Sequence, residues 1–231
     1  MNKKRERFLT GLVILALVAA AATMAYAADI KTHVREVGVR SGAGAATKDV
    51  VYDNGMDYVG IGASQDDHSI NLDPIIADDF IFDVLQPVND VHWIGGYWNG
   101  PPDDGDFDWE IKFYNDIGDG TKPGAAFATY TFANADVNET FIEEIASSFY
   151  FSYSVNLPVP GMTFSPGTKY CISIQGLGDY PPQSGWAVHQ DPILQHEAVL
   201  KSVYFGYPDW TNTSTVFGYA ADMCFQLTYE E

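Results

Sequence analysis

The chain has 231 residues and carries 12 Lys and Arg against 31 Asp and Glu, a formal net charge of −19. Its first 27 residues hold four of the cations and one of the anions, so the remaining part carries 8 − 30 = −22. A body this acidic repels nucleic acid phosphates and anionic membrane surfaces, which we exclude as partners. With 46% hydrophobic and 14% aromatic residues, it still has enough apolar material to bury a core.

The N-terminus has the pattern of a signal peptide. Residues 1–7 are basic, residues 8–24 are mostly apolar, and residues 25–27 have the small-x-small pattern that signal peptidase accepts. We therefore expect the body to be exported and to be secreted or held at the cell surface. An uncleaved membrane anchor is the open alternative, because the 21 mostly apolar residues from Phe8 to Ala28 are long enough to span a bilayer.

Residues 28–48 are rich in small side chains and indicate a flexible leader, so the folded domain is expected to span residues 49–231. In Phe107–Phe113, aromatic residues and Ile alternate with charged residues, which is typical of a half-buried strand. Further strands are predicted in Asp78–Val84, Val88–Trp98, Phe127–Phe132, Phe149–Val155, Tyr170–Ile174, Val199–Phe205 and Met223–Tyr229.

Turn residues separate these segments about every ten positions, and helical patterns are almost absent. The one helix-like segment, Glu139–Ala146, is equally compatible with a short helix and with an acidic loop. We therefore predict an all-β fold, a single antiparallel β-sandwich of jelly-roll type.

Cys171 and Cys224 are the only cysteines, and both lie in the part expected to be exported. In its predicted strand, each one lies on the face opposite the apolar residues. Facing positions on neighbouring antiparallel strands place Cβ atoms about 4.5–5.5 Å apart, which suits a disulfide. We predict a Cys171–Cys224 disulfide, with two unpaired thiols as the alternative.

Alternating carboxylates follow two prolines in the segment Asp103–Asp108. Asp104, Asp106 and Asp108 are candidate ligands for a structural Ca²⁺, because hard cations need several oxygens that converge from one loop. The segment lacks the rest of an EF-hand pattern. A solvated acidic surface is therefore the alternative interpretation.

Aromatic residues cluster beside turns in a second unusual pattern. Rings held at loop edges can stack on the apolar faces of sugars, while neighbouring Asp and Asn accept hydrogen bonds from hydroxyls. The alternative is that these rings close the ends of the sandwich core. The candidate glycan-binding residues are Tyr97, Trp98, Tyr180, Trp186 and Trp210.

Asp108 and Glu110 share a strand face about 7 Å apart, and carboxylate pairs at such separations can hydrolyse glycosides. A chain with 31 Asp and Glu contains such carboxylate pairs by chance. The sequence also has no nucleophile elbow, phosphate loop or dinucleotide fingerprint. We therefore expect no catalytic activity.

The order of several short motifs resembles a class of uncharacterised secreted prokaryotic β-sandwich domains. The motifs are Ala77–Phe80 ("ADDF"), Pro166-Gly167 ("PG"), Gly167–Tyr170 ("GTxY") and Asp222–Phe225 ("DxxF"), and the resemblance covers about Val51 to Tyr229. It implies a β-sandwich without assigned activity, often part of surface or adhesive proteins, and it supplies no catalytic residues.

Three functions are compatible with these observations. The first is an exported, non-catalytic domain that binds extracellular polysaccharide or other surface proteins. The second is a secreted carbohydrate-active enzyme that uses Asp108 and Glu110. The third is a structural component of a surface layer or matrix.

Overall fold

The computed structural model describes residues 40–41, 49–99, 107–118 and 121–230. The predicted signal peptide, most of the predicted leader, and Asp104 and Asp106 lie outside the described residues. Among the residues described, no helix is long and apolar enough to cross a membrane.

Strands dominate the described chain. The first ten are β1 (Arg40–Ser41), β2 (Asp49–Asp53), β3 (Asp57–Tyr58), β4 (Gly60–Ala63), β5 (Gln65–Asp66), β6 (Ile75–Ile81), β7 (Gln86–Val88), β8 (Asp90–Trp98), β9 (Asp108–Asp116) and β10 (Pro123–Phe132). The others are β11 (Asn138–Ile145), β12 (Ser148–Asn156), β13 (Met162–Phe164), β14 (Lys169–Leu177), β15 (Gln183–His189), β16 (Val199–Ser202), β17 (Tyr207–Asn212), β18 (Asp222–Met223) and β19 (Phe225–Tyr229). A 3-10 turn (Asn134–Asp136) and helix α1 (Thr213–Val216) complete the elements.

Two large sheets form the domain. The seven-stranded sheet has the order β10-β9-β14-β6-β16-β17, with β5 parallel to the end of β14. The eight-stranded sheet has the order β11-β12-β8-β15-β18, with β4 beside β15, β19 beside β8 and β2 beside β19. Apart from the β5–β14 pair, neighbours within both sheets are antiparallel. The predicted antiparallel β-sandwich is confirmed.

The core between the sheets is built largely from aromatic rings. Trp109 of β9 lies 5.3 Å from Trp93 of β8, and Phe80 of β6 lies 6.4 Å from Phe225 of β19, measured between ring centroids. All four side chains are buried. Truncating such a ring to Ala typically costs about 3–5 kcal/mol, so these contacts between the sheets are a major source of stability.

The helix-like segment Glu139–Ala146 is instead mostly strand β11, which forms one edge of the eight-stranded sheet. β11 pairs with β12 in antiparallel register from Asn138 opposite Ser154 to Ile145 opposite Ser148. Its side chains are largely exposed, and nothing among the described residues pairs with its outer edge. An exposed edge strand does not need the alternating apolar residues by which the buried strands were predicted.

One carboxylate connects elements of the two sheets inside the core. Asp78 of β6 lies opposite the core residue Ile172, so its side chain points inward from the seven-stranded sheet. Its Oδ2 accepts hydrogen bonds from Asn54 Nδ2 at 2.7 Å and from the Met223 backbone N–H at 2.6 Å. Asn54 follows β2 and Met223 belongs to β18, both in the eight-stranded sheet. Buried polar atoms must be satisfied, so this network fixes the relative position of three strands.

A second buried acid lies near this network. Asp222 Oδ2 accepts a hydrogen bond from the Leu194 backbone N–H at 2.6 Å. Burial, with Asp79 nearby, raises the pKa of Asp222 from 3.8 to about 7. Burial and the charges of Asp222 and Asp79 also raise the pKa of Asp78. The folded state therefore holds protons at these sites more tightly than the unfolded chain does.

A raised carboxyl pKa stabilises the fold at low pH, and that stability is lost as the pH rises through the folded-state value. We expect Asp222→Asn to raise the melting temperature at pH 8, where the wild-type carboxylate is buried and charged. The gain should shrink toward pH 5, with a change of up to about 1.4 kcal/mol per pH unit in the window between 3.8 and about 7. Thermal unfolding across this pH range measures the effect.

The matched control is Asp191→Asn, which removes the same charge from an exposed position. Its melting temperature should follow that of the wild type at every pH. An Asp222→Asn protein that is less stable than the wild type at pH 8 would contradict the interpretation, because the amide oxygen can still accept the Leu194 hydrogen bond.

Candidate functional site

A groove of about 380 Å³ lies on the face of the seven-stranded sheet that points away from the core. This volume is within the range of small-ligand sites. Its lining mixes charged, polar, aromatic and small side chains: Asp66, Asp73, Ile75, Lys112, Tyr114, Gly124, Ala126, Gln175, Lys201 and Trp210. Every strand of this sheet contributes at least one of them, so the groove exists only in the folded sheet.

Strand alternation explains why these residues face outward. In β9, Trp109, Ile111 and Phe113 are buried in the core, so Lys112 and Tyr114 point to the opposite face. In β14, Ile174 is in the core and Gln175 points outward in the same way, where its Nε2 donates to Pro74 O at 2.8 Å.

Trp210 forms one wall of the groove. It belongs to β17, at the edge of the sheet, but its ring lies 6.0 Å from that of Tyr114 on β9, with an interplanar angle of 83°. Three strands separate β17 from β9, so the Trp210 ring reaches back across the sheet face. Tyr114 is held in turn by Ser173, whose hydroxyl lies 3.0 Å from its own. The half-buried indole therefore offers part of its surface to a ligand.

The acids of the groove are held in place by neighbouring groups. Asp73 Oδ1 accepts hydrogen bonds from Ser202 Oγ at 2.6 Å and from Tyr204 N at 3.0 Å, and its Oδ2 accepts one from Val203 N at 3.0 Å. Asp66 lies 3.0 Å from the Nδ1 of His68. Burial raises the pKa of Asp66, and the nearby charges of His68 and Lys112 act in the opposite direction.

The two lysines of the groove differ in their surroundings. Lys112 forms an ion pair with Glu110 on the same strand face. Lys201 is exposed, and no acidic side chain in the described part of the chain forms an ion pair with it. Its ammonium group can therefore donate hydrogen bonds to a ligand. The groove thus combines an aromatic surface with a hydrogen-bond donor and carboxylate acceptors, which suits a hydroxyl-rich molecule.

The sequence profile of one protein family matches residues 51–228. The family is DUF7901, described as a domain of unknown function. The chain belongs to this family. The match confirms the expectation of an uncharacterised domain that covers nearly all of the folded part. No curated protein and no solved structure shows significant similarity to the chain.

Three of the five rings predicted to face a glycan are buried in this DUF7901 domain. Tyr97, Trp98 and Trp186 are 1%, 3% and 1% exposed, which leaves no open ring face for a sugar. The prediction is wrong for these three, because residues beside turns also fill the ends of the core. Tyr180 is partly exposed, and its N–H donates to Asp67 at 2.8 Å. Trp210 alone of the five lines the groove.

The calcium prediction stays a prediction, because Asp104 and Asp106 lie outside the described residues. Asp108 is exposed, and its Oδ1 accepts a hydrogen bond from Asn134 N at 3.0 Å. Within the described ranges, no group of three or more His, Cys, Asp or Glu side chains is arranged to hold a metal ion.

The carboxylate pair of the enzyme hypothesis does not line the groove. Asp108 and Glu110 do share the outward face of β9, as predicted. Asp108 is engaged by Asn134 and Glu110 by Lys112, and neither belongs to the lining.

The predicted disulfide is absent, and both cysteines are buried free thiols. Cys171 lies in β14 of the seven-stranded sheet, opposite Tyr114 of β9 and Asp79 of β6. Cys224 lies between β18 and β19 of the eight-stranded sheet. The prediction assumed that the two strands are neighbours in one sheet, and that assumption is wrong. Burial raises the pKa of both thiols, which keeps them protonated and unreactive.

We expect neither thiol to react with a water-soluble thiol reagent under native conditions, and both to react after denaturation. A reductant should leave the melting temperature of the protein unchanged, because no covalent bond is lost. Spectroscopic thiol counting and thermal unfolding with and without reductant measure these effects. Two unreactive cysteines in the denatured, unreduced protein would show instead that a disulfide forms.

The sequence did not predict that four charged residues would come together in this groove. Asp66, Asp73, Lys112 and Lys201 are far apart in the chain and form no local motif. One signal was available, since residues 49–231 contain only four lysines and no arginine, and two of those lysines line this groove.

Proposed function

We propose that this DUF7901 domain is an exported, non-catalytic module that binds extracellular polysaccharide in the outer-face groove. Export follows from the signal-peptide pattern of residues 1–27. The ligand class follows from the composition of the groove.

The position of Trp210 is the observation that carries this proposal. The indole ring forms a wall of an open groove whose other side chains are mainly polar. An aromatic face next to fixed carboxylate and amide groups matches a sugar, which has an apolar ring face and a rim of hydroxyls. Gln175 and Asp73 are already fixed by protein hydrogen bonds, so little entropy is lost when they contact a ligand.

Binding is favoured over catalysis by the placement of the acids. Glycoside hydrolysis needs a proton donor and a second carboxylate on either side of the scissile bond. Asp108 and Glu110 lie outside the groove lining, and the Asp73 carboxylate accepts three hydrogen bonds from residues 202–204. These three hydrogen bonds support a structural role for Asp73 in the seven-stranded sheet.

The test is affinity electrophoresis of the mature domain in gels that contain a panel of soluble neutral and acidic polysaccharides. We expect at least one polysaccharide to retard the wild-type protein. Trp210→Ala should weaken that retardation at least tenfold, in line with the roughly 2 kcal/mol lost when an anchoring aromatic is truncated.

Phe141→Ala is the matched control, because Phe141 is a 54% exposed aromatic residue on β11 of the other sheet. Its retardation should equal that of the wild type. Circular dichroism spectra of both variants verify that they fold. A wild-type protein that no polysaccharide retards, or a Trp210→Ala protein that binds normally, would overturn the proposal.

We also retain calcium as a structural part of the proposal, with Asp104, Asp106 and Asp108 as ligands. A bound ion stabilises the folded state according to its concentration and affinity, so a chelator should lower the melting temperature and excess Ca²⁺ should restore it. Asp106→Asn should reduce this difference, whereas Asp209→Asn, at an exposed position on β17, should leave it unchanged. An identical melting temperature in chelator and in Ca²⁺ would overturn the proposal of a structural calcium site.

A further inference from the structure

The lysines of the domain are unevenly distributed. Residues 49–231 carry four lysines, no arginine and 28 Asp and Glu, a net charge of 4 − 28 = −24. Two of the four lysines, Lys112 and Lys201, line the groove. A third, Lys169, is engaged by Asp79 at 2.7 Å. Half of the positive side chains of a strongly acidic domain therefore meet at one small site.

These lysines balance the charge of the groove lining and leave no excess of positive charge. The two lysines match Asp66 and Asp73, the only acids among the lining residues. Glu110 lies beside Lys112 and offsets its charge further. A site for an anionic ligand would show a surplus of cations, which this groove does not have. A balanced lining instead provides donors and acceptors to a ligand that carries no charge itself.

We infer that the ligand of the groove is an uncharged polysaccharide, and that polymers with carboxylate or sulfate groups are rejected. This inference rests on the proposed function and names the class of its ligand. The hydroxyls of a neutral sugar can accept hydrogen bonds from the Lys201 ammonium group and donate hydrogen bonds to the carboxylates. Such a ligand brings no charged group of its own to the groove.

The net negative charge of the domain provides the rejection. A polysaccharide is longer than the groove, so its flanking units run over the rest of a domain with a net charge of −24. Charges on those units would lie within a Debye length, about 8 Å at physiological ionic strength, of a like-charged surface. Repulsion of this kind lowers association rates by tenfold or more at low salt and weakens as salt is added. A neutral polymer is not affected.

The experiment compares each polysaccharide that retards the wild-type protein with the same polymer oxidised at its primary hydroxyls to the uronate form. Backbone, linkage and length stay similar, and only the charge changes. At 20 mM salt we expect the oxidised form to bind at least about tenfold more weakly than the neutral form. The difference should narrow at 0.5 M NaCl, where the repulsion is screened.

Two variants test whether the weaker binding of the oxidised polymer depends on the groove. Glu110→Gln frees Lys112 from its ion pair, and we expect it to raise the affinity for the oxidised polymer about twofold to fivefold, as the gain of one exposed ion pair allows. Glu144→Gln makes the same change in net charge on β11, at the edge of the other sheet, and should change that affinity less than Glu110→Gln does. Both variants should bind the neutral polymer as the wild type does.

The outcomes separate the inference from the proposed function. If no polysaccharide binds, the proposed function fails and the inference falls with it. If polysaccharides bind but acidic or oxidised forms bind as well as neutral ones, the groove still binds glycans and the charge inference alone is overturned. Equal effects of Glu110→Gln and Glu144→Gln would overturn the role given to the groove lining, because the position of the added charge relative to Lys112 would then make no difference.

Discussion

The hydrogen bonds of Asp78 across the core are the constraint on which the arrangement of the two sheets depends. Aromatic contacts hold the layers together, but they tolerate small shifts, because rings can pack at several angles. The Asp78 carboxylate tolerates less, since Asn54 Nδ2 and the Met223 N–H both point at one of its oxygens. A slip of β6 by one residue would turn Asp78 to the outside. The buried Met223 N–H would lose its acceptor, and Asn54 Nδ2 would keep only its hydrogen bond to Met223 O.

The groove depends on the same constraint. β6 carries Asp78 on its core face, and its other face carries Ile75, which lines the groove. Asp73, two residues before β6, holds residues 202–204 by three hydrogen bonds and thereby fixes the end of β16, next to Lys201. The position of Lys201, which lines the groove, therefore depends on the register of β6, its neighbour in the sheet. One face of β6 thus contributes to the core, and its other face contributes to the groove.

The sequence predicted those parts of the fold in which one face of a strand is buried. β9 and β14 follow the expected alternation because the core accepts only apolar side chains on their inner faces. β11 was missed because it is an exposed edge strand, where three Glu residues are tolerated. For Cys171 and Cys224, alternation correctly gave a strand face opposite the apolar residues of β14, but the sheet to which each strand belongs depends on long-range pairing. Period-two patterns carry no information about such pairing.

The candidate site was less predictable, and the reason is physical. A ring beside a turn can cap the core, as Trp98 and Trp186 do, or reach across a sheet face, as Trp210 does, and local sequence does not distinguish these outcomes. Charge is more informative in this chain, because lysine is scarce. When a domain with 28 acids has only four lysines, each of them opposes the prevailing charge, so its position reflects a local requirement. Lys169 forms an ion pair with the buried Asp79. Lys112 and Lys201 instead line the groove, together with Trp210. In the function proposed for the groove, the net negative charge of the domain would discourage charged polymers, and the balanced lining would allow neutral ones to bind.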